Sequence, residues 1–282
     1  MKRKFAKLKD SVGYFQIGVS AFITLGVLGL ILYYILVRGL PNISWGFLTT
    51  GYNSEYHGIA DILVTTIFIV GVTLAIATPL GIFAAIYLNE YAKQGRIVKI
   101  IRFSIESLAG IPSIVYGLFG YIFFVLFLGF KFSILSGGLT LSILVLPTII
   151  RSTEEALKTV PQSYKEASLA LGASKLYTLF KVVLPNAISG ILSAVILSIG
   201  RIVGESAAVF LTAGMVYRLP GGIMDSGRTL AVHMFSIANE GFSFEETWAT
   251  AAVLVILVAI INFLARLLTR IFSRKFVKQK RA

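Results

Sequence analysis

The chain has 282 residues, of which 56% are hydrophobic and 14% are charged, and its net charge is +13. Its mean hydropathy of +0.85 is typical of an integral membrane protein and excludes an ordinary soluble domain. There is no cysteine, so disulfide bonds, thiolate chemistry and cysteine-ligated metals are excluded.

The basic residues are concentrated in four segments that alternate with long apolar runs. Of the 26 Lys and Arg residues, 21 lie in 1–13, 89–102, 151–187 and 265–282. Cytoplasmic loops of membrane proteins carry this excess of positive charge. A nucleic-acid-binding protein would instead gather its charge on one solvated face. We therefore expect the partner to be the lipid bilayer and not a nucleic acid.

Six apolar stretches are long enough to cross a bilayer, since a spanning helix needs about 20 residues. They cover 14–37, 59–88, 103–130, 132–150, 188–212 and 248–265. We predict an all-α integral membrane protein with six transmembrane helices and both termini in the cytoplasm. No small-residue cleavage site follows the first span, which we interpret as an uncleaved anchor helix. The remaining loops, at 38–58, 129–131 and 213–247, are then outside, and the last is expected to contain a short amphipathic helix.

Prolines interrupt three of these spans. Pro79 and Pro147 are interpreted as ordinary helix bends. The sequence Ala-Gly-Ile-Pro-Ser at 109–113 leaves two interpretations open, a bend or a break that lines a cavity. A broken helix exposes N–H groups at a positive dipole end, which suits an anion. Ser113 is therefore a candidate residue of a substrate path.

A polar segment, EASLALGASKLYTLFKVVLP, occupies 166–185 between two apolar runs. It predicts a short helix, a turn at Gly172 and a second helix that begins the next span. The spacing resembles the EAA loop of ABC importer permeases, the helix that docks on a cytoplasmic ATPase. The residues that carry this resemblance are Glu166, Ala167, Ser168, Gly172, Leu184 and Pro185, with Ser168 in place of the family's second Ala.

Arg201 lies well inside the fifth apolar run, and Glu205 follows at i+4. An ionisable residue at membrane depth costs at least ~2.5 kcal/mol to insert and marks a transport path by default. Two roles stay open: a self-neutralising Arg–Glu pair that holds the bundle together, or a guanidinium that binds an oxyanion in bidentate fashion. In the second role Glu205, on the same helix face, would orient Arg201 and keep the empty site nearly neutral.

Four further segments, at 79–92, 108–120, 139–161 and 200–213, resemble the A-type permease of the phosphate-specific ABC importer, of the ABC transmembrane type-1 family. The resemblance covers about 58–270. Its Arg-x-x-Gly-Glu element is present at 201–205, but the family's Thr-Ala-Pro after the Glu is Ser-Ala-Ala here. It implies an inner (cytoplasmic) membrane, multi-pass subunit of an ATP-driven phosphate importer that works by alternating access.

The resemblance also implies partners: a second, similar permease, an ATPase dimer docking at 162–185, and an extracytoplasmic phosphate-binding protein at the outer loops. ATP and Mg²⁺ would be bound by the ATPase, because this chain has no phosphate-binding loop and is not itself an enzyme. No catalytic residue, cofactor or metal site is expected in it, since His57 and His233 lie in separate loops without metal-binding spacing.

We divide the chain into an anchor unit at 1–57, a permease domain at 58–270 with the coupling loop at 151–187, and a basic cytoplasmic tail at 271–282. Two other functions remain possible at this stage. One is a permease for another oxyanion, such as sulfate or molybdate, because Arg201 suits each of these anions. The other is an ATP-independent anion carrier, which would not need the coupling loop.

Overall fold

The computed structural model describes residues 2–52, 57–241 and 243–278, and the side chains of 13–52, 57–241, 243–267, 269 and 270. Residues 53–56 of the predicted outer loop and 279–282 of the predicted tail lie outside this description. The regular elements of the described chain are helical, apart from one isolated bridge between Tyr52 and His57.

The helices of the first half are α1 Lys2–Gly39, α2 Trp45–Thr49, α3 Ala60–Ile86, α4 Arg96–Ala109, α5 Ser113–Gly120 and α6 Ile134–Lys158. Those of the second half are α7 Gln162–Ala170, α8 Lys175–Thr178, α9 Leu184–Val203, α10 Ala207–Thr212, α11 Leu230–Glu240 and α12 Phe244–Lys278. Wider π-helical turns follow α3, α5 and α8, at Tyr87–Tyr91, Tyr121–Phe127 and Leu179–Val183.

Five helical stretches of the described chain are long and apolar enough to cross a membrane, and α4 with α5 gives a sixth if the two count as one span. The all-α membrane fold is therefore confirmed. The third span predicted over 103–130 is a broken one, because the chain bends by 100° between α4 and α5, so of the two interpretations left open at 109–113 the structure has the break. Pro112 causes the break: it has an extended ψ of 140° and no N–H for a helical hydrogen bond.

The fifth span also differs from its prediction. The helix begins before 188, since α8, the π turn and α9 follow one another without a gap from Lys175 to Val203. It does not continue to 212, because α9 ends at Val203 and α10 starts only at Ala207. By contrast, Pro79 and Pro147 lie inside α3 and α6, as predicted.

The bundle is built around α6, which packs against α3, α5, α9 and α10. In the most apolar stretch of α6, 67% of the residues are buried. In that of α1, which packs mainly on α12, 0% are buried. Glycines allow the close approach of α3 and α6: a Cβ on Gly81 would lie 2.6 Å from Ile149, and one on Gly138 would lie 2.5 Å from Val72. Larger residues at these glycines would separate the two central helices.

We call the two ends of the bundle the α7 end and the α11 end. The short helix predicted within 213–247 is present as α11, and it is packed into the protein, because Leu230, Val232 and His233 are almost fully buried. The Leu230 backbone N–H donates to the Thr66 hydroxyl at 3.0 Å, which fixes the start of α11 against α3.

At the α11 end, Arg228 connects the preceding loop to α11. Its Nη1 donates to Nδ1 of His233 at 3.2 Å, and its Nε donates to the Met215 carbonyl at 3.0 Å. Because arginine can only donate, His233 must be the neutral tautomer with its proton on Nε2. Burial, together with the Arg228 charge, lowers the pKa of His233 from 6.5 to about 3.

This lowered pKa makes the fold sensitive to acid. Between about pH 6.5 and pH 3, His233 binds a proton in the unfolded chain but not in the folded one. The contribution of His233 to the free energy of unfolding is therefore fully present above about pH 6.5 and is lost as the pH falls. We expect the loss at pH 5.5 to be about 1.4 kcal/mol relative to neutral pH. Thermal unfolding of the purified subunit in detergent, measured from pH 7.5 to 5, would show it.

His233→Asn keeps an acceptor for Arg228 but does not titrate, so the acid slope of the melting temperature should become shallower. His57→Gln is the matched control, because His57 is half exposed and contacts Glu246 instead; it should keep the slope due to His233. An unchanged slope in His233→Asn would contradict this assignment.

Candidate functional site

The first half of the site is the break between α4 and α5. Its backbone is closed locally, since the N–H groups of Gly110 and Ile111 donate to carbonyls three residues earlier. The Tyr116 hydroxyl donates to the Leu108 carbonyl at 2.7 Å, as a second bond beside that from the Ile111 N–H, and so ties α5 to the end of α4. Ser113, the predicted path residue, is half-buried and starts α5 directly after the break.

The second half is the break between α9 and α10. Arg201 lies in the last turn of α9, and the chain then turns through Gly204, whose N–H donates to the Gly200 carbonyl. Glu205 lies beyond the helix, so the expectation that it shares a helix face with Arg201 is wrong. Its Oε1 instead accepts from the backbone N–H of Ala208 at 3.4 Å, at the start of α10. The carboxylate therefore caps α10.

The two breaks are brought together by the packing of α5 on α10. A Cβ on Gly117 would lie 2.9 Å from Cα of Ala208, so only glycine permits this approach. Tyr116, beside Gly117, belongs to the same buried cluster as Ile202, and Ile111 packs against that cluster. Residues 110–113 and 201–205, which are far apart in sequence, thus belong to one region of the molecule.

Arg201 is half-buried in this region. Among the described residues, no carboxylate oxygen lies within 4.0 Å of its guanidinium, and the ion pairs that do form involve other residues. A desolvated guanidinium without an anionic partner is costly, and an oxyanion that binds both arms of its fork would remove that cost. The arrangement can therefore receive an anion.

The coupling segment has the predicted form of helix, turn and helix. Gly172 has a left-handed φ of +82°, which favours glycine. Its N–H donates to the Leu169 carbonyl at 2.9 Å, and the N–H of Ala173 donates to the Ser168 carbonyl at 3.2 Å. This pair of bonds is a Schellman motif that ends α7. The Ser168 hydroxyl bonds the buried Thr178 hydroxyl at 2.9 Å and fixes the angle between the two helices.

The tip of this segment is exposed. Glu166 and Ala167 lie on the open surface of α7, and the Leu171 side chain is 89% exposed. Leu184 and Pro185 begin α9 and are half-buried, with Leu184 packed on a cluster that includes Ile86 and Leu157. The structure therefore separates the predicted coupling residues into an exposed tip and a packed base.

The sequence missed three contacts near these sites. Arg102 does not pair with Glu106, its i+4 neighbour; it bonds Glu154 on α6 at 3.0 Å. The second contact is the bond of the Tyr116 hydroxyl to the Leu108 carbonyl, for which the sequence held no signal except the nearness of Tyr116 to Pro112. Lys165 on α7 donates to Oε1 of Glu90 at 2.5 Å. No spacing rule within one sequence predicts a contact between residues 75 positions apart.

Among the described residues, no three His, Asp or Glu side chains gather into a group that could hold a metal.

Several known proteins resemble this chain over most of its length. It is 35% identical to a probable ABC transporter permease protein, YqgI, of Bacillus subtilis, over 95% of this chain and 98% of that protein. It is 32% identical to the phosphate transport system permease protein PstA 1 of Mycobacterium tuberculosis, over 95% and 91% of the two chains. The phosphate transport system permease protein PstA of Haemophilus influenzae is 33% identical, over 88% and 89%.

Solved structures share the fold at lower identity. An inward-facing MetNI methionine ABC transporter superposes with a TM-score of 0.59 at 22% identity, over 85% of this chain and 97% of that one. A bacterial alginate ABC transporter in complex with its pentasaccharide-bound periplasmic protein gives a TM-score of 0.67 at 14% identity, over 94% and 96%. Residues 77–278 match the family described as the binding-protein-dependent transport system inner membrane component, and the chain belongs to that family.

Proposed function

We propose that this chain is a transmembrane permease subunit of an ATP-driven phosphate importer. The observation that carries the proposal is its similarity, over nearly the full length of both chains, to proteins named phosphate transport system permeases. The chain is not itself an enzyme. A substrate-binding protein and an ATPase in partner subunits are expected of its family.

The anion would pass the junction of the two helix breaks. Arg201 supplies a guanidinium there that no carboxylate of the described chain neutralises, which suits a phosphate oxyanion. Ser113, at the start of α5, supplies a hydroxyl and adjoins the positive end of that helix. Glu205 acts by capping α10, so that the position of Arg201 relative to α5 is fixed.

The ATPase dimer would dock on the exposed tip of 162–185, where Glu166, Ala167 and Leu171 lie open, and would bind the ATP and Mg²⁺. A second permease would complete the path, and a phosphate-binding protein would meet the loops at the α11 end. This arrangement would put the α7 end and both termini in the cytoplasm of a multi-pass inner-membrane protein. The permease domain would extend over 58–270, between the anchor unit at 1–57 and the basic tail at 271–282.

The direct test of substrate and site is phosphate uptake by the reconstituted complex. Arg201→Gln keeps much of the side-chain volume but removes the charge and the fork, so uptake should fall by at least about tenfold, as expected for a lost charged hydrogen bond. Arg201→Lys keeps the charge without the planar fork and should lie between the Gln variant and the wild type. Phosphate binding by the external protein should be unchanged.

Arg201→Gln combined with Glu205→Gln separates transport from structure. The amide oxygen of Gln can still cap α10, so the double variant should assemble, hydrolyse ATP and remain inactive in uptake. Restored uptake would mean that the two residues form only a structural pair. Stronger uptake of sulfate than of phosphate by the wild-type complex would contradict phosphate as the substrate.

The turn at Gly172 provides a test of coupling. No atom lies within 4 Å of a Cβ added there, so Gly172→Val strains only the backbone, by about 1–2 kcal/mol. We expect the variant to insert and assemble but to uncouple ATP hydrolysis from uptake. Gly172→Asn is the matched control, because Asn tolerates the left-handed region, and it should retain transport. Normal uptake by a well-expressed Val variant would exclude this turn from coupling.

The orientation can be read by labelling, since the chain has no cysteine of its own. Single cysteines in place of Ser44 or Ser243 should react in intact cells with a thiol reagent that cannot cross the membrane. A cysteine in place of Ser174, which is exposed at the α7 end, should react only after the membrane is opened. Labelling of Ser174→Cys in intact cells would reverse the orientation.

A further inference from the structure

Two polar contacts tie the helices on either side of Gly172 to the end of α3. On one side of Gly172, Lys165 of α7 donates to the Glu90 carboxylate at 2.5 Å. On the other side, the Lys175 ammonium at the start of α8 lies 4.5 Å from the centre of the Tyr91 ring. Consecutive residues of the π-helical turn thus hold both arms of the segment.

The contact of Lys165 with Glu90 is enclosed. The two side chains are only 15% and 12% exposed, and Asn89 also donates to the same Glu90 oxygen at 2.7 Å. They line a cavity of ≈ 290 Å³ between α7, α8 and the end of α3. A charge pair in such a place gains more from its Coulomb attraction than a surface pair does, and removal of one partner leaves the other charge stranded.

The turn that carries Glu90 is itself tied to two more helices. The Leu88 carbonyl accepts from Nη2 of Arg102 on α4 at 3.4 Å, and the same Nη2 bonds Glu154 on α6 at 3.0 Å. Residues 88–91 therefore join the coupling segment to α3, α4 and α6. α4 leads directly into the break before α5, and α5 packs on α10, which follows Arg201 along the chain.

We propose that Glu90 is a positioning residue for coupling: by holding Lys165 it makes α7 move as one body with the end of α3. The inference rests on the proposed function, because it assumes that α7 receives the movement of an ATPase. Without the pair, α7 could shift while α3, α4 and α6 stay in place. ATP would then be hydrolysed without a matching change at the anion site.

The test uses the complete reconstituted complex and measures phosphate taken up per ATP hydrolysed. Glu90→Gln and Lys165→Gln should each assemble and hydrolyse ATP, while uptake per ATP falls by about tenfold, within the usual range of coupling between sites. The exchanged pair, Glu90→Lys with Lys165→Glu, restores opposite charges and should recover most of the ratio. Glu106→Gln is the matched control: Glu106 lies outside the coupling loop, is 59% exposed and pairs loosely with Arg151 at 3.7 Å, so its loss should leave the ratio unchanged.

The outcomes separate this proposal from the proposed function. No ATP-dependent phosphate uptake by the wild-type complex would defeat the function itself. A transporting wild type with an unchanged ratio in Glu90→Gln would overturn the positioning role alone. If the single variants fail to assemble, the exchanged pair decides. An exchanged-pair complex that assembles and couples uptake to ATP hydrolysis supports the proposal. One that assembles without coupling, or does not assemble, shows that the pair is only a structural contact and overturns the proposal.

Discussion

A helix that stops within a bilayer leaves backbone N–H and C=O groups that lipid cannot satisfy, so such a stop is tolerated only where protein covers it. In the described part of the chain, the breaks after α4 and α9 are two places of this kind, and a side chain bonds the backbone beside each: the Tyr116 hydroxyl donates to the Leu108 carbonyl, and the Glu205 carboxylate accepts from the Ala208 N–H. Gly117 lets α5 press on α10, so each stop helps to cover the other. Because of this mutual cover, the breaks lie side by side near Arg201.

The same constraint decides the electrostatics of the site. A carboxylate four residues from an arginine would neutralise it in a continuous helix. Here the helix has ended at Val203, and Glu205 is engaged with the next helix. Arg201 is left without a carboxylate partner in the described chain, in a half-buried position. Because the helix is broken, the Glu205 carboxylate bonds the backbone of the next helix instead of the Arg201 guanidinium. The positive charge of Arg201 can therefore be neutralised by an anion.

Hydropathy and charge pattern predicted what depends on local composition: most of the spans, the continuation of helices through Pro79 and Pro147, and the turn at Gly172. They did not predict the direction in which the chain continues after a break. A window over 103–130 is apolar whether the chain runs straight or bends by 100°, so Pro112 left both interpretations open. The i+4 rule placed Glu205 on the face of Arg201 only by assuming that the helix continued. Contacts such as Lys165 with Glu90 depend on how helices distant in sequence pack, and one sequence alone contains no measure of that.

The geometry also explains how a small shift at the α7 end can reach Arg201. Arg102 ties α4 to α6 and to the end of α3, while the other end of α4 meets the bend at Gly110–Pro112. A helix held at one end and hinged at the other transmits a tilt, since its own hydrogen bonds keep it rigid. Tyr116 spans that hinge by its bond to Leu108, so a tilt of α4 is carried to α5 and to the buried cluster that Tyr116 shares with Ile202. The break at Gly110–Pro112 is thus a joint between the end of α3 and the buried cluster beside Arg201.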